Sequence, residues 1–237
     1  MARLGILSGT ILLQKTSFFG GLKKTNVATD FGEVSLFLSP RAAFIPRHGT
    51  DPKHHILPHR INHQANLLAL RQSGVREVIA VNSTGSLKRY LPPGTLVVPD
   101  DFLDLTGGPT IFEDRPVHVT PVISQRVRKN WIDAARRCAF DVVNGGVYWQ
   151  TRGPRLETRA EITMMSQFAD VVGMTMASEA VIARELGLDY GSLCSVDNYA
   201  HGIGERELTM EEILEHARMN EGKIVKILET YMEGRSP

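Results

Sequence analysis

The run from Ile61 to Ser86, "INHQANLLALRQSGVREVIAVNSTGS", decides the architecture. Its first half spaces apolar residues three and four apart, the period of a helix, and Gly74 closes that helix. Its second half, "EVIAVNS" from Glu77 to Ser83, is rich in β-branched residues and reads as a buried strand. The polar turn "STGS" ends it. Helix, glycine, buried strand and polar turn form the repeating unit of an α/β sheet, in which ligands bind beyond the strand ends.

The same rhythm extends in both directions. "LGIL" (Leu4 to Leu7), "EVSLFLS" (Glu33 to Ser39) and "AAFIP" precede the central unit as strands. After it, Gly94 to Thr106 reads as one strand, Ile123 to Cys138 as an amphipathic helix and "GGVYWQT" as a strand. Then come "ETRAEITMMSQF" as a helix, "VVGMT" as a strand, "SEAVIARELG" as a helix and "YGSLCSVDN" as a strand. Thr209 to Met232 is a long terminal helix opened by a Thr209/Glu212 capping box. The alternation predicts an α/β fold, one central sheet surrounded by helices, in a single domain spanning residues 1–237. From 107 to 121 the periodicity fails, and "GGPTIFEDRPVHVTP" reads as a long functional loop.

Lys and Arg number 27 against 26 Asp and Glu, so no global charge draws the chain to nucleic acid or to an anionic membrane. Any anion recognition must be local. Cys138 and Cys194 stand far apart without a C-x-x-C pair, which indicates neither a disulfide framework nor a thiolate metal site and fits a cytoplasmic protein. Ser8-Gly9-Thr10 breaks the apolar N-terminal run, which therefore reads as a strand and turn rather than a leader. No stretch is long and apolar enough to span a membrane.

Four polar turns follow predicted strands: Ser8-Gly9-Thr10, Arg47-His48-Gly49, Asn82-Ser83-Thr84-Gly85-Ser86 and Gly173-Met174-Thr175. Each offers backbone N–H groups or hydroxyls, and Arg47 adds a guanidinium suited to a tetrahedral oxyanion. Together they suggest a cradle for inorganic phosphate, without the G-x-x-x-x-G-K-[ST] of a P-loop. Arg47 to His63 also holds five of the eight histidines. His59 and His63 have the four-residue spacing of a zinc pair, yet Pro58 begins the helix and no H-E-x-x-H glutamate lies between them. A metal site is therefore not expected; His54, His55 and His63 read as locally bonded or as subunit contacts. Glu157 suits either a first helical turn or a ligand. Asp197-Asn198 is either a simple turn or a purine reader: an amide offers a donor and an acceptor to a heterocycle edge, and a carboxylate accepts a ring N–H. Glu157 and Asn198 then suit a base with a carbonyl at position 6.

In order along nearly the whole chain, "SGT", "RHG…H…PH.IN..AN", "NSTGSL", "Y.QTRGPRLET.AEI", "VGMT…SEA..ARELG" and "VDNYAHGI" resemble the purine nucleoside phosphorylase family. The closest likeness is to its methylthioadenosine and methylthioinosine phosphorylase branch. The resemblance implies a mixed, partly barrel-like sheet wrapped by helices and a homotrimer with active sites near subunit contacts. The implied activity is that of a pentosyltransferase, reversible phosphorolysis of a purine nucleoside with inorganic phosphate as co-substrate and no metal or organic cofactor. It places the phosphate site on Thr10, Arg47, His48, Ser83 and Thr175, the ribose contact on Met174 and the wall against the base on Leu156. Glu157 and Asn198 become the base readers. Thr84, Gly85 and Asp197 join the nucleoside contacts, and Asn198, Glu157, Arg47 and His48 carry the catalysis. Met210 stands where relatives acting on inosine and guanosine carry a histidine for the 5′-hydroxyl, and a thioether suits a methylthio group instead. His118 matches a histidine lent by the neighbouring subunit. Adenine-specific members carry Asp at the position of Asn198 and again at that of Ala200, so S-methyl-5′-thioinosine is the expected substrate. A one-residue shift onto Asp197 would restore an acid and favour methylthioadenosine. A general inosine/guanosine phosphorylase, or a nucleoside-binding module without turnover, is also compatible with these residues.

Overall fold

The computed structural model describes residues 2–9, 21–205 and 209–235, with the side chains of residues 52 and 210–212 outside that set. Four strands run parallel at its centre, β4 (Ala42–Pro46), β1 (Arg3–Ser8), β5 (Val75–Ser86) and β11 (Asp189–Tyr199), in that order. Beyond β4 the sheet continues antiparallel through β3 (Gly32–Leu38) to β2 (Lys23–Thr29). From β5 it also continues through the antiparallel β10 (Val171–Gly173) to β9 (Val147–Gln150) and β7 (Asp101–Asp104). β11 pairs with β6 (Leu96–Val98), which pairs in turn with β8 (Val143–Asn144). The expected α/β class with one mixed sheet is what these strands form. The ladders branch at β5, and no pairing closes a barrel among the described residues.

Alternation along the central strands sends neighbours to opposite faces. Leu7, Val78, Ala80, Cys194 and Val196 face α1 (His63–Gln72) and α4 (Met176–Glu185). Leu4, Ile6, Ile79, Val81 and Leu193 face α2 (Gln125–Arg137) and α5 (Met210–Glu233). On the second face the fully buried Trp131 packs on Tyr231 with ring centroids 5.0 Å apart. The short α3 (Arg159–Met165) covers a smaller cluster of Leu87, Trp149, Val172 and Ala200. Asn62 caps α1 by accepting from Ala65 N–H at 2.9 Å, and Thr158 with Glu161 forms a capping box on α3. The Thr209/Glu212 box rests on a side chain outside the described set. No helix among the described residues is long and apolar enough to cross a membrane.

Three expectations are corrected. The Gly94 to Thr106 strand is two strands: Pro99 has no N–H to give a ladder and Asp100 N–H turns to Gly146 O, so β6 pairs with β11 while β7 pairs with β9. Asn82 to Ser86 is no turn but the end of β5, because β11 pairs with it as far as Ser86. Pro58 opens a separate 3-10 turn, Pro58–Arg60, and α1 begins at His63, so His59 and His63 do not share a helix face. β2 had no apolar run to announce it; its side chains are exposed or half-buried throughout.

Two strands each carry one irregularity at the C-terminal end of the parallel strands. β1 pairs with β5 only as far as Ala80, and β10 begins opposite Gly85, so that edge of β5 has no strand beside it from Val81 to Thr84 among the described residues. β11 bulges at Asp197: Val196 pairs with Thr84 and Asn198 with Gly85, leaving Asp197 as the extra residue.

Candidate active site

The ends of β1, β4, β5, β10 and β11 converge on the open edge of β5, a point where strand order changes. Arg47, the first residue after β4, fills the gap: Nη1 donates to Val81 O at 2.7 Å. Its Nε lies 2.7 Å from Glu179 Oε1, and Nη2 donates to Glu179 Oε2 at 3.3 Å. Arg47 and Glu179 are 4% and 1% exposed, so the ion pair is inside the protein. Tyr190 donates its hydroxyl to the same carboxylate at 2.7 Å. Burial pushes the Glu179 carboxyl up, and Arg47, Tyr190 and Asn82 oppose that rise.

His48, next in sequence, is half-buried. Its Nδ1 is 2.8 Å from Ile56 O, and its ring stacks on His55 with centroids 4.6 Å apart. Burial, with Arg47 and His55 nearby, lowers its pKa to about 4. His63, at the start of α1, is buried beside Arg47 and His48, and its pKa falls to about 3 for the same reasons. Both rings are neutral above pH 6.5. Two neutral imidazoles next to a guanidinium avoid adding repulsive charge to a buried site. Among the described residues no group of His, Cys, Asp and Glu is arranged to hold a metal ion.

Thr175 heads α4 without capping it. The helix's first N–H groups go to β9 instead: Thr175 and Met176 N–H donate to the Tyr148 hydroxyl at 3.1 and 3.3 Å, and Ala177 and Ser178 N–H donate to Gln150 Oε1 at 2.8 and 3.1 Å. Thr175 Oγ1 accepts from Asn82 Nδ2 at 2.7 Å. Ser83, on the opposite face of β5, is exposed and hydrogen-bonds Asp197, while Thr84 is buried and donates to Ser195 O at 2.9 Å. Thr10 lies outside the described residues.

The loops after β9 and β10 meet a few residues further on. Thr151 N–H donates to Gly173 O at 2.8 Å, and its hydroxyl donates to the buried Glu157 Oε1 at 2.6 Å. Gly153, at φ +67°, lets the loop pass against Met174, whose sulfur lies 2.5 Å from where a β-carbon on Gly153 would stand. Leu156 is exposed at the rim of this loop. Asn198 packs beside Gly85, Val172 and Ala200, with its Nδ2 on Tyr199 O at 2.9 Å. Asp197 points elsewhere: Ser195 and Ser83 hydrogen-bond its carboxylate, and His216 of α5 faces it. Burial raises its pKa to about 6, opposed by those three partners. Asn220 and Lys223 extend this polar chain along α5, at 2.9 and 3.2 Å.

The structure therefore brings Arg47, His48 and Thr175 to one wall and Glu157, Met174, Gly85 and Asn198 to another. His118 and His201 are exposed on loops, and Met210 is described only as the first residue of α5. Tyr148, Gln150 and Glu179 carried no expectation from the sequence, Asn82 entered only as part of a polar turn, and His63 only as a local or subunit contact. Glu179 did leave a signal, a lone acid among the small and apolar residues of "MASEAVIA" in a helix.

Residues 24–233 match the model of the phosphorylase superfamily. The chain is 42% identical over 231 residues to a probable 6-oxopurine nucleoside phosphorylase of Archaeoglobus fulgidus, covering 95% of this chain and 94% of that one. It is 40% identical over 234 residues to a probable S-methyl-5′-thioinosine phosphorylase of Methanothermobacter thermautotrophicus, covering 95% and 82%. Among solved structures, methylthioadenosine phosphorylase from Schistosoma mansoni in complex with adenine is similar at a TM-score of 0.88 and 26% identity, covering 100% and 93%.

Proposed function

Since the chain belongs to the phosphorylase superfamily and to its purine and methylthio-nucleoside branch, we propose that its substrate is a 6-oxopurine nucleoside, with S-methyl-5′-thioinosine the preferred member of that class. The product pair is then hypoxanthine and 5-methylthioribose 1-phosphate. The observation that supports this reading is the bulge in β11, where Asp197 is held by Ser195, Ser83 and His216 while Asn198 stands beside Gly85. An amide at that position matches a base that presents an acceptor at N7 and a carbonyl at position 6. The Archaeoglobus and Methanothermobacter relatives are both named for 6-oxopurine substrates.

In this reading phosphate binds between Arg47, His48, Thr175 and Thr10, where it faces the anomeric carbon of a nucleoside seated on Met174; the Ser83 side chain, turned to Asp197 on the other face of β5, leaves the set that the resemblance implied. Holding both reactants makes the attack effectively intramolecular. As the C–N bond breaks, the phosphate charge stabilises the oxocarbenium-like sugar and the bonding pair moves onto the purine. Asn198 steadies N7 and Glu157 accepts from N1–H, so the base leaves without an enzyme nucleophile. Leu156, Thr84 and Met210 complete the nucleoside walls. His118 is offered to the next subunit of a homotrimer from a loop that also exposes Val117, Val119 and Val122.

A second reading, methylthioadenosine phosphorolysis, is favoured by the carboxylate of Asp197 one residue away and by the methylthioadenosine phosphorylase of Pyrococcus horikoshii, 34% identical over 242 residues. The experiment is phosphate-dependent base release from methylthioinosine, methylthioadenosine, inosine and adenosine in parallel, read by chromatography. Fastest hypoxanthine release from methylthioinosine supports the proposal; fastest adenine release from methylthioadenosine replaces it with the second reading.

A further inference from the structure

Glu179 is an acid in the wrong place for stability alone. It sits within α4 among Met176, Ala177, Ala180, Ile182 and Ala183, all buried. Burying a carboxylate is costly, and a buried ion pair replaced by apolar residues of equal volume often leaves a protein as stable or more so. The partners that offset the cost all belong to one network beneath the phosphate wall.

The network leaves two donors of Arg47 over. Arg47 has five N–H groups. Nε lies in ion-pair contact with Glu179 without a hydrogen bond, one N–H of Nη2 goes to Glu179, and one N–H of Nη1 goes to Val81 O. Among the described residues, one N–H remains on each terminal nitrogen, and such a fork suits two oxygens of a tetrahedral oxyanion. Asn82 works on Thr175 in the same way. Its amide bonds both Thr175 Oγ1, at 2.7 Å, and Glu179, while its carbonyl oxygen accepts from Ser192 at 2.5 Å. Because Thr175 Oγ1 already accepts from Asn82, its own proton must point away from that amide. The Thr175 backbone N–H is taken by Tyr148.

We propose that Glu179 and Asn82 are positioning residues for the oxyanion: Glu179 turns the Arg47 fork, Asn82 turns the Thr175 hydroxyl, and the amide bridging them fixes the angle between the two donors. The inference rests on the reading of Arg47 and Thr175 as phosphate contacts. It adds that the pocket selects its anion through aimed donors more than through net charge, since Glu179 offsets the charge of Arg47. Tyr190 and Ser192 hold the two positioning residues from behind.

The test uses the full chain with inorganic phosphate as the probe, titrated calorimetrically without nucleoside, alongside steady-state KM for each substrate. Glu179→Gln presents an amide N–H to a guanidinium N–H, so the fork must turn. Tyr190→Phe removes only the hydroxyl given to Glu179 and keeps the core volume. Phosphate Kd and KM are expected to rise about tenfold or more in Glu179→Gln, the size of one misaligned charge-assisted contact, and about threefold in Tyr190→Phe. Nucleoside KM should stay within about threefold of the parent. Unchanged phosphate Kd in both variants overturns the proposal, as does an equal rise in both substrates' KM. If Glu179→Gln does not fold, Tyr190→Phe decides alone. A parent that binds phosphate but releases no base refutes the proposed function and leaves this test standing. A parent that binds no phosphate refutes the phosphate site and this inference with it.

Discussion

The amide nitrogen of Asn198 lies 3.0 Å from the point where a β-carbon would stand on Gly85. The two residues face each other across the β5–β11 ladder, with Val172 at 3.3 Å from the same point. Glycine is required there by the closeness of its neighbours rather than by its own backbone angles.

Gly85→Ala should therefore push the Asn198 amide aside by a few tenths of an ångström. A fall in kcat of about tenfold or more is expected, since small misplacements of a reacting contact are costly. The thermal midpoint should move little. Steady-state kinetics and a melting curve on the same preparation check both halves, and full activity would remove Asn198 from the base site.

Asn198→Asp exchanges the amide's donor for a second acceptor. The ratio of inosine-type to adenosine-type rates should drop by about tenfold or more, because a site built for one hydrogen-bond pattern leaves the other unpaired. Chromatographic rates on the four nucleosides measure it, and an unchanged ratio rejects the base assignment.

Asp197 gives a pH signature in stability. Its carboxyl rises from 3.8 to about 6 in the folded protein, so the native state holds the proton more tightly. Stability from this group is full below pH 3.8, is lost as pH climbs to about 6, and stays lost above. Asp197→Asn should therefore gain on the parent across that window, by up to about 3 kcal/mol from a shift of about two units. Denaturant melts at pH 4.5 and 7.5 test the difference.

His63 works in the opposite sense. Its pKa falls from 6.5 to about 3, so the folded state is neutral where the unfolded chain takes up a proton. Stability is lost as pH drops from 6.5 towards 3. His63→Gln should flatten that acid slope, recovering about 2 kcal/mol of the decline between pH 7 and pH 5. His48, lowered to about 4, keeps part of the slope in the variant. A variant as acid-sensitive as the parent would show that His63 is not held neutral.

Much of the fold was legible because buried strands and amphipathic helices write their periods into the chain. The runs Leu4 to Leu7, Glu77 to Ser83 and Ile123 to Cys138 became β1, β5 and α2. What escaped depended on partners. β2 has little apolar pattern and is recognisable only by its pairing with β3. The polar tail of β5 looked like a turn because glycine and hydroxyls favour turns, until β11 was there to pair with it. Asp197 and Asn198 could not be told apart in sequence, since a bulge is a property of two strands together. Glu179 and Asn82 were hidden for a related reason: each acts through a residue more than 90 positions away, Glu179 on Arg47 and Asn82 on Thr175.

At its bulge β11 carries one residue more than the stretch of β5 opposite it. Lose that residue and the ladder straightens, Asn198 slides into the place of Asp197, and the amide turns to the face that Asp197 now occupies. In the proposed reading, substrate class is thus exposed to a change in length as well as to a change in letter. A deletion of a single codon would then move the proposed reader of the base without substituting any other residue of the proposed site.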